Sequence, residues 1–227
     1  GRGVAIIRTE ADWHKLIDGP SMVEPLVDIH KELAVQVARN PSGEVKAFPV
    51  VEMVFDPVAN LVEFLLGPAD VSEEVAQKAT ALAIQPAEAY DLCGLLSIEF
   101  FLTKQGEIWI NEVAPRPHNS GHHTIEACYT SQFQQHLRAV LDWPLGKTDA
   151  ILPGVMINLL GAEGHAGKAR YTGLEECLKI DGAYLHIYGK EVTKPFRKMG
   201  HATVIDADPQ QAIDRARFIQ NTLKITT

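Results

Sequence analysis

Two glutamates stand where apolar strands should run on uninterrupted. Glu99 interrupts LLSIEFFLT, and Glu112 closes IWINE, thirteen positions further on. VAPRPHNSGHH follows at once and gathers Arg116, His118, Asn119, Ser120, Gly121, His122 and His123 into one short run. A carboxylate inside an apolar strand is expensive unless a proton or a cation compensates it. A divalent ion does so when it takes carboxylate oxygens and nucleotide phosphates together. For either glutamate alone, a solvated or salt-bridged strand end is the commoner explanation. The pairing carries the signal.

Strands must position the pair. Side chains on one face recur every second residue, which groups Ile108, Ile110 and Glu112, and sets Glu99 opposite Ile98, Phe100 and Leu102. Gln105 and Gly106 predict a hairpin turn between the two runs, bringing both acids to one region of a sheet. His118 and His122 have the i, i+4 spacing of a helical zinc pair, but no third ligand accompanies them. Structural or hydrogen-bonding roles for His118, His122 and His123 are therefore preferred to metal ligation.

The chain has 227 residues with 46% hydrophobic and 22% charged content, ordinary for a globular protein of one domain with an appendage or two small ones. A net charge of −8 without any block of Lys or Arg argues against nucleic acid or an anionic membrane as partner. No apolar run is long enough to span a membrane, and GRGVAIIRTE has no export signal, so a cytoplasmic protein is expected. Cys93, Cys128 and Cys177 are scattered, which fits buried thiols in a reducing compartment. Cys128 is expected to face inward as a small hydrophobe rather than act as a nucleophile.

Strands are expected at 4–8, 22–27, 32–39, 45–55 and 61–66, with a short helix from Thr9 and a turn from Asp56 to Asn60. The span 71–90 reads as helix, kinked or split at Pro86. Residues 131–143 read as an amphipathic helix with Phe133, Leu137, Val140 and Leu141 as its apolar stripe. A boundary is expected within 146–153. Strands then follow at 155–161, 184–188 and 202–205, with a short helix at 174–178. Asp208 and Pro209 open a closing helix, whose stripe of Ala212, Ile213, Ala216, Ile219 and Leu223 is core packing.

Strand, acid, hairpin and NEVAPRPHNSGHHT in succession resemble the ATP-grasp superfamily, and within it the 5-(carboxyamino)imidazole ribonucleotide synthetases of purine synthesis. GKEVTKPFRKMGHATV is a second, independent match. The likeness covers essentially the whole chain but only the later part of the family's. Gly1, Arg2 and Gly3 match the tail of a glycine-rich loop, so an N-terminal domain and the phosphate-binding lysines are implied to lie upstream, and this chain alone is expected not to turn over. The resemblance implies an α+β fold: an ATP-grasp antiparallel sheet flanked by helices over 1–146, then a small C-terminal α/β sheet domain over 147–227.

It also implies roles. The backbone of Glu24, Pro25, Leu26 and Val27 would recognise adenine, and Glu32 the ribose hydroxyls. Glu99, Glu112 and Asn111 would hold magnesium or manganese against the phosphates of ATP. Arg116 would be the catalytic contact to bicarbonate or carboxyphosphate. His118, Asn119 and Ser120 would form a donor-rich loop for a phosphate. Lys190 and Arg197 would meet aminoimidazole ribonucleotide, although their bland reading is an exposed basic loop with Lys194 and Lys198. Phe55 stands where many members carry a nucleotide-contacting histidine. The implied partners are small molecules, namely ATP, bicarbonate and the ribonucleotide, with a homodimer as the assembly. Two rivals stand beside this reading: another ATP-grasp carboxylase or ligase, and a non-catalytic nucleotide-binding module.

Overall fold

A computed structural model describes residues 4–56 and 61–227; the glycine-loop match at 1–3 and most of the turn expected after Asp56 lie outside them. The strands in chain order are β1 (Ile29–Arg39), β2 (Val45–Ala47), β3 (Val51–Asp56), β4 (Leu61–Gly67), β5 (Gly94–Thr103), β6 (Ile108–Ala114) and β7 (Gly154–Leu160). They continue with β8 (Gly167–Lys168), β9 (Arg170–Thr172), β10 (Ala183–Ile187), β11 (Val192–Thr193), β12 (Lys198–Ile205) and β13 (Lys224–Thr226). The helices are α1 (Glu73–Ala89), α2 (Thr124–Ala127), α3 (Gln132–Val140), α4 (Leu174–Cys177) and α5 (Pro209–Thr222).

Nine strands form one antiparallel sheet in the order β10-β12-β7-β4-β3-β1-β5-β6, with β2 on the far end of β1. Because β4 pairs with β7, the sheet runs without interruption across residues 146–153. Two-stranded pairs β8–β11 and β9–β13 stand apart from it.

Opposed residues of an antiparallel pair share a face. One face is oil. Leu33, Val35, Val37, Leu96, Ile98, Phe100 and Leu102 bury against Ala79, Ala83 and Ala87 of α1. Further along it, Val155, Ile157, Ala202 and Val204 bury against Ala212, Ala216 and Ile219 of α5. Small residues every fourth position let each helix lie close on the sheet. Ser72 caps α1 by accepting from Val75 N, and Asp208 caps α5 by accepting from Gln210 N. The other face has an apolar strip of Ala34, Val51, Met53, Leu65 and Met156, with Phe55 packed against it. Polar residues flank that strip on both sides, and the site lies there.

Several expectations are corrected. Residues 4–8 and 22–27 are not strands but mostly exposed coil. Strand propensity is realised only where a neighbour takes the backbone donors and acceptors, and no described strand pairs with either segment. The short helix is a 3-10 helix, Glu10–Lys15, held by Asp12 accepting from the Arg8 and Thr9 amides. The run 45–55 divides into β2 and β3 around Phe48-Pro49-Val50, where proline has no amide for the ladder. Pro86 neither splits nor ends α1; it sits in the last turns of one continuous helix. α3 is turned around: Phe133, Leu137, Val140 and Leu141 are exposed, while Gln132, Gln135 and Ala139 are buried. Buried backbone explains the inversion. Gln135 donates to the Gly146 carbonyl at 3.0 Å and accepts from the Gly146 amide at 2.8 Å. Strand β13 was not expected from the sequence, and β12 begins four residues earlier than expected, at Lys198.

Candidate active site on the polar face of the sheet

Glu99 and Glu112 are directly opposed across the β5–β6 hairpin, whereas Phe100 opposes Ile110. Asn111 is therefore an extra residue, a β-bulge that shifts the pleat by one. Glu112 consequently joins the face of Trp109, not that of Ile108 and Ile110 as strict alternation implied. The shift puts both carboxylates on the polar face, with β-carbons about 5 Å apart for an opposed pair. Without the bulge, Glu112 would point into the layer under α1.

A third acid joins them. Glu32 opposes Phe101 and Ala34 opposes Glu99, so Glu32 sits diagonally from Glu99 on the same face. Burial, then the charge of Glu99, pushes Glu32 up to about 7. Burial, then the charge of Glu112, raises Glu99. Three acids in this arrangement ask for a cation.

The loop after β6 closes over them. His118 Nδ1 lies 3.3 Å from Glu99 Oε1, and its Nε2 lies 3.8 Å from Glu112 Oε1. Desolvation lowers the His118 pKa, so near neutrality this imidazole is not their counter-charge. Ser120 Oγ is a buried junction, 3.0 Å from His118 Nδ1, 3.1 Å from Gln36 Nε2 and 3.2 Å from Ser97 Oγ. That network ties the loop to β1 and β5. Asn119 begins the short 3-10 turn Asn119–Gly121 and is half-buried, while Asn111, Glu112 and Arg116 are exposed at the rim. Arg116 spends one donor on the Pro117 carbonyl at 3.1 Å.

The opposite wall is basic. Lys198 opens β12, and its ammonium feels both desolvation, which lowers its pKa, and the attraction of Glu99 and Glu112, which opposes that. Lys190 donates to the Lys198 carbonyl at 2.5 Å, and Arg197 donates to the Val192 carbonyl at 2.6 Å. Both keep further donors for a ligand. Lys198, read from sequence as one more charge in a solvated loop, is the cation that faces the acids; only the register of β12 could reveal it.

Rings lie between the walls. Phe133, His122, His201 and His186 form a ladder with successive centroid separations of 5.8, 4.7 and 4.3 Å. Tyr188 OH meets His201 Nδ1 at 3.0 Å, and Glu126 Oε1 meets His186 Nε2 at 2.7 Å. Desolvation leads in depressing His122 to about 4 and His201 to about 3, so both stay neutral and can stack. Cys128 is buried, with its thiol pushed up to about 12 by burial.

The structure thus brings Glu32, Glu99, Glu112, Arg116, His118 and Ser120 together, with Lys190 beside Lys198 on the facing wall. Asn111 is the bulge residue between the acids, Asn119 lies in the loop, and Arg197 directly precedes β12. Glu24, Pro25 and Leu26 are exposed and Val27 is half-buried, on the coil that leads into β1. Among the described residues, no three His, Cys, Asp or Glu side chains make a ready-made metal cluster. An incomplete oxygen set suits magnesium, which keeps waters and takes substrate phosphate oxygens beside one or two carboxylates. Burial first, and the neighbouring carboxylate second, disfavour the charge on Glu99 and Glu32, and a cation would offset both costs.

Residues 1–133 match the ATP-grasp domain model, more than half of the chain, and residues 154–215 match the phosphoribosylaminoimidazole carboxylase C-terminal domain model. The chain belongs to the ATP-grasp family. Within it, the chain is similar to N5-carboxyaminoimidazole ribonucleotide synthase of Bacillus subtilis, at 43% identity over 89% of this chain and 52% of that protein. A solved N5-carboxyaminoimidazole ribonucleotide synthetase from Thermotoga maritima superposes with a TM-score of 0.90 at 48% identity, over 97% of this chain and 59% of that one. The N5-carboxyaminoimidazole synthase of Aspergillus clavatus, solved with ADP and 5-aminoimidazole ribonucleotide, superposes at 0.81 with 35% identity, over 93% of this chain and 56% of that one. The chain spans about half the length of the curated relatives it matches.

Proposed function

We propose that this chain supplies the ATP-grasp and C-terminal parts of an enzyme that carboxylates 5-aminoimidazole ribonucleotide with bicarbonate at the expense of ATP. The observation that carries the proposal is the opposed pair Glu99 and Glu112, aimed by the Asn111 bulge at a donor-rich loop on one side and a basic wall on the other. The Aspergillus clavatus relative, solved with ADP and the ribonucleotide, supports the choice of substrates. Within this reading, residues 1–146 serve the nucleotide and 147–227 serve the ribonucleotide.

Glu99 and Glu112, with Asn111, would hold magnesium or manganese, which supplies neutralisation of the triphosphate's charge. The backbone of residues 24–27 receives adenine, and Glu32 receives the ribose hydroxyls. Bicarbonate oxygen attacks the terminal phosphorus and ADP leaves, giving carboxyphosphate. Arg116 pairs with this anion, and the loop of His118, Asn119 and Ser120 offers it donors. Carboxyphosphate then gives its carboxyl group to the exocyclic amine, and inorganic phosphate leaves. Lys190 and Arg197 hold the ribonucleotide in place for that transfer. No covalent nucleophile is needed, which agrees with the unreactive Cys128; positioning and charge carry the chemistry. A cytoplasmic homodimer completes the proposal. No described helix is long and apolar enough to cross a membrane.

Two substitutions test it in the full-length protein. Glu112→Gln should remove turnover while leaving thermal stability nearly unchanged, since the side chain lies at the open rim. Lys190→Ala should raise the KM for the ribonucleotide and leave that for ATP alone. Unchanged turnover in the first defeats the metal assignment, and equal loss for both substrates in the second moves Lys190 out of the ribonucleotide site.

A further inference from the structure

We propose that Gln132, the first residue of α3, is the positioning residue of this site: its buried amide holds the His118 backbone in register and selects the tautomer of His122. Gln132 is fully buried, although glutamine usually stays on the surface. Its Oε1 accepts from the His118 amide at 2.9 Å, and its Nε2 donates to the His118 carbonyl at 2.9 Å. One side chain thus pairs with both backbone groups of one residue, as a neighbouring strand would. A backbone amide can only donate and a carbonyl can only accept, so the orientation of the Gln132 amide is dictated and not interchangeable.

The remaining Nε2 proton goes to His122 Nδ1, 2.8 Å away. That nitrogen must therefore accept, which puts the His122 proton on Nε2. The residue's own amide donates to Thr124 Oγ1 at 2.8 Å, and Thr124 Oγ1 donates to the Gly121 carbonyl at 2.5 Å. Every turn of the loop from His118 to Thr124 is thereby referred to one point on α3. Gly121 is required by the same closeness, because a β-carbon there would lie 2.5 Å from Gln132 Oε1. An apolar residue would fill the buried side of α3 equally well, but it would take away the acceptor of the His118 amide and leave the His118 carbonyl with the Gly121 amide alone, 3.0 Å away. Through His118 and Ser120 the clamp sets the loop against Glu99 and Glu112, so Gln132 governs the acid pair without touching it.

The catalytic side of this assignment rests on the carboxylase reading of the site, but its geometric side does not. Two measurements keep them apart. In the 227-residue chain, nitrogen-15 spectra of the histidine rings should show His122 protonated on Nε2. Gln132→Glu keeps an acceptor for the His118 amide but brings no proton for His122, so the His122 proton should move to Nδ1. An unchanged tautomer in Gln132→Glu at a pH where the new carboxyl is ionised overturns the clamp, whatever the enzyme does. In the full-length protein, Gln132→Glu and Gln132→Met should lower kcat about ten- to a hundredfold, the effect of removing a partner that orients a site group. The KM for ATP should stay within about twofold. Recovery of kcat in Gln132→Glu as the pH is lowered and the carboxyl regains a proton would support the role further. Wild-type kcat in both variants, or losses that only follow the unfolded fraction, would overturn it. Absence of turnover in the wild type with ATP, bicarbonate and the ribonucleotide would defeat the carboxylase reading, and the tautomer would still decide the clamp.

Discussion

Replacing Glu32 with glutamine should make the ligand-free protein more stable, and only above acid pH. In the folded chain its carboxyl titrates near 7, because burial and the neighbouring Glu99 disfavour its charge, against an ordinary value of 4.5. Taken whole, that shift would correspond to about 3 kcal/mol, at about 1.4 kcal/mol per tenfold change in proton affinity. The carboxylate is only half-buried, and solvent screening leaves about 1 to 2 kcal/mol of it. The sign follows from proton linkage. Below pH 4.5 the group is protonated both folded and unfolded, and glutamine changes nothing. Between 4.5 and about 7 the unfolded chain loses its proton first, so the wild type pays a growing penalty that the Glu32→Gln variant escapes. Above about 7 the difference is constant. Urea unfolding of wild type and variant at a series of pH values reads it directly, with the slopes compared to exclude a change in the unfolded state. On the proposed assignment of the ribose hydroxyls to Glu32, saturating magnesium–ADP should reverse the ranking. A difference that does not depend on pH, or a variant less stable than wild type at pH 8, would refute the crowding of acids on this face.

Leu137→Glu on the outward face of α3 should change stability by no more than about 0.5 kcal/mol in thermal or urea melts, as at ordinary surface positions. A loss of about 2 to 5 kcal/mol would mean that the stripe is buried after all. A thiol reagent should modify one of the three cysteines rapidly in the native chain, the exposed Cys93, and reach Cys128 and Cys177 only on unfolding. Fast modification of Cys128 would contradict a thiol pushed up to about 12 by burial.

The hairpin, the two acids and the α1 and α5 layers were legible because each depends on local period or on a turn. Glu99 and Glu112 announced themselves by polarity in apolar surroundings, and Asp208-Pro209 by cap chemistry. The bulge at Asn111 was not legible: a one-residue slip in register is a property of two strands, and neither strand alone encodes it. Residues 4–8 and 22–27 have strand composition, but no described neighbour completes their ladders. The α3 stripe misled because Gln132 and Gln135 are buried for their hydrogen bonds, and an apolar count treats them as surface. His122 lies more than sixty residues before His186 and His201, which meet only because β10 pairs with β12, so no spacing rule could assemble their ladder. Lys198 looked like loop charge until the pairing of β12 with β7 turned it toward the acids.

Manganese relaxation on the ADP-saturated chain tests the central claim most directly. A paramagnetic ion gripped by the opposed acids should broaden the resonances of Glu99, Asn111 and Glu112 first and His118 next, and Glu112→Ala should abolish the pattern. Broadening centred on any other part of the chain, or a pattern that survives Glu112→Ala, would contradict it.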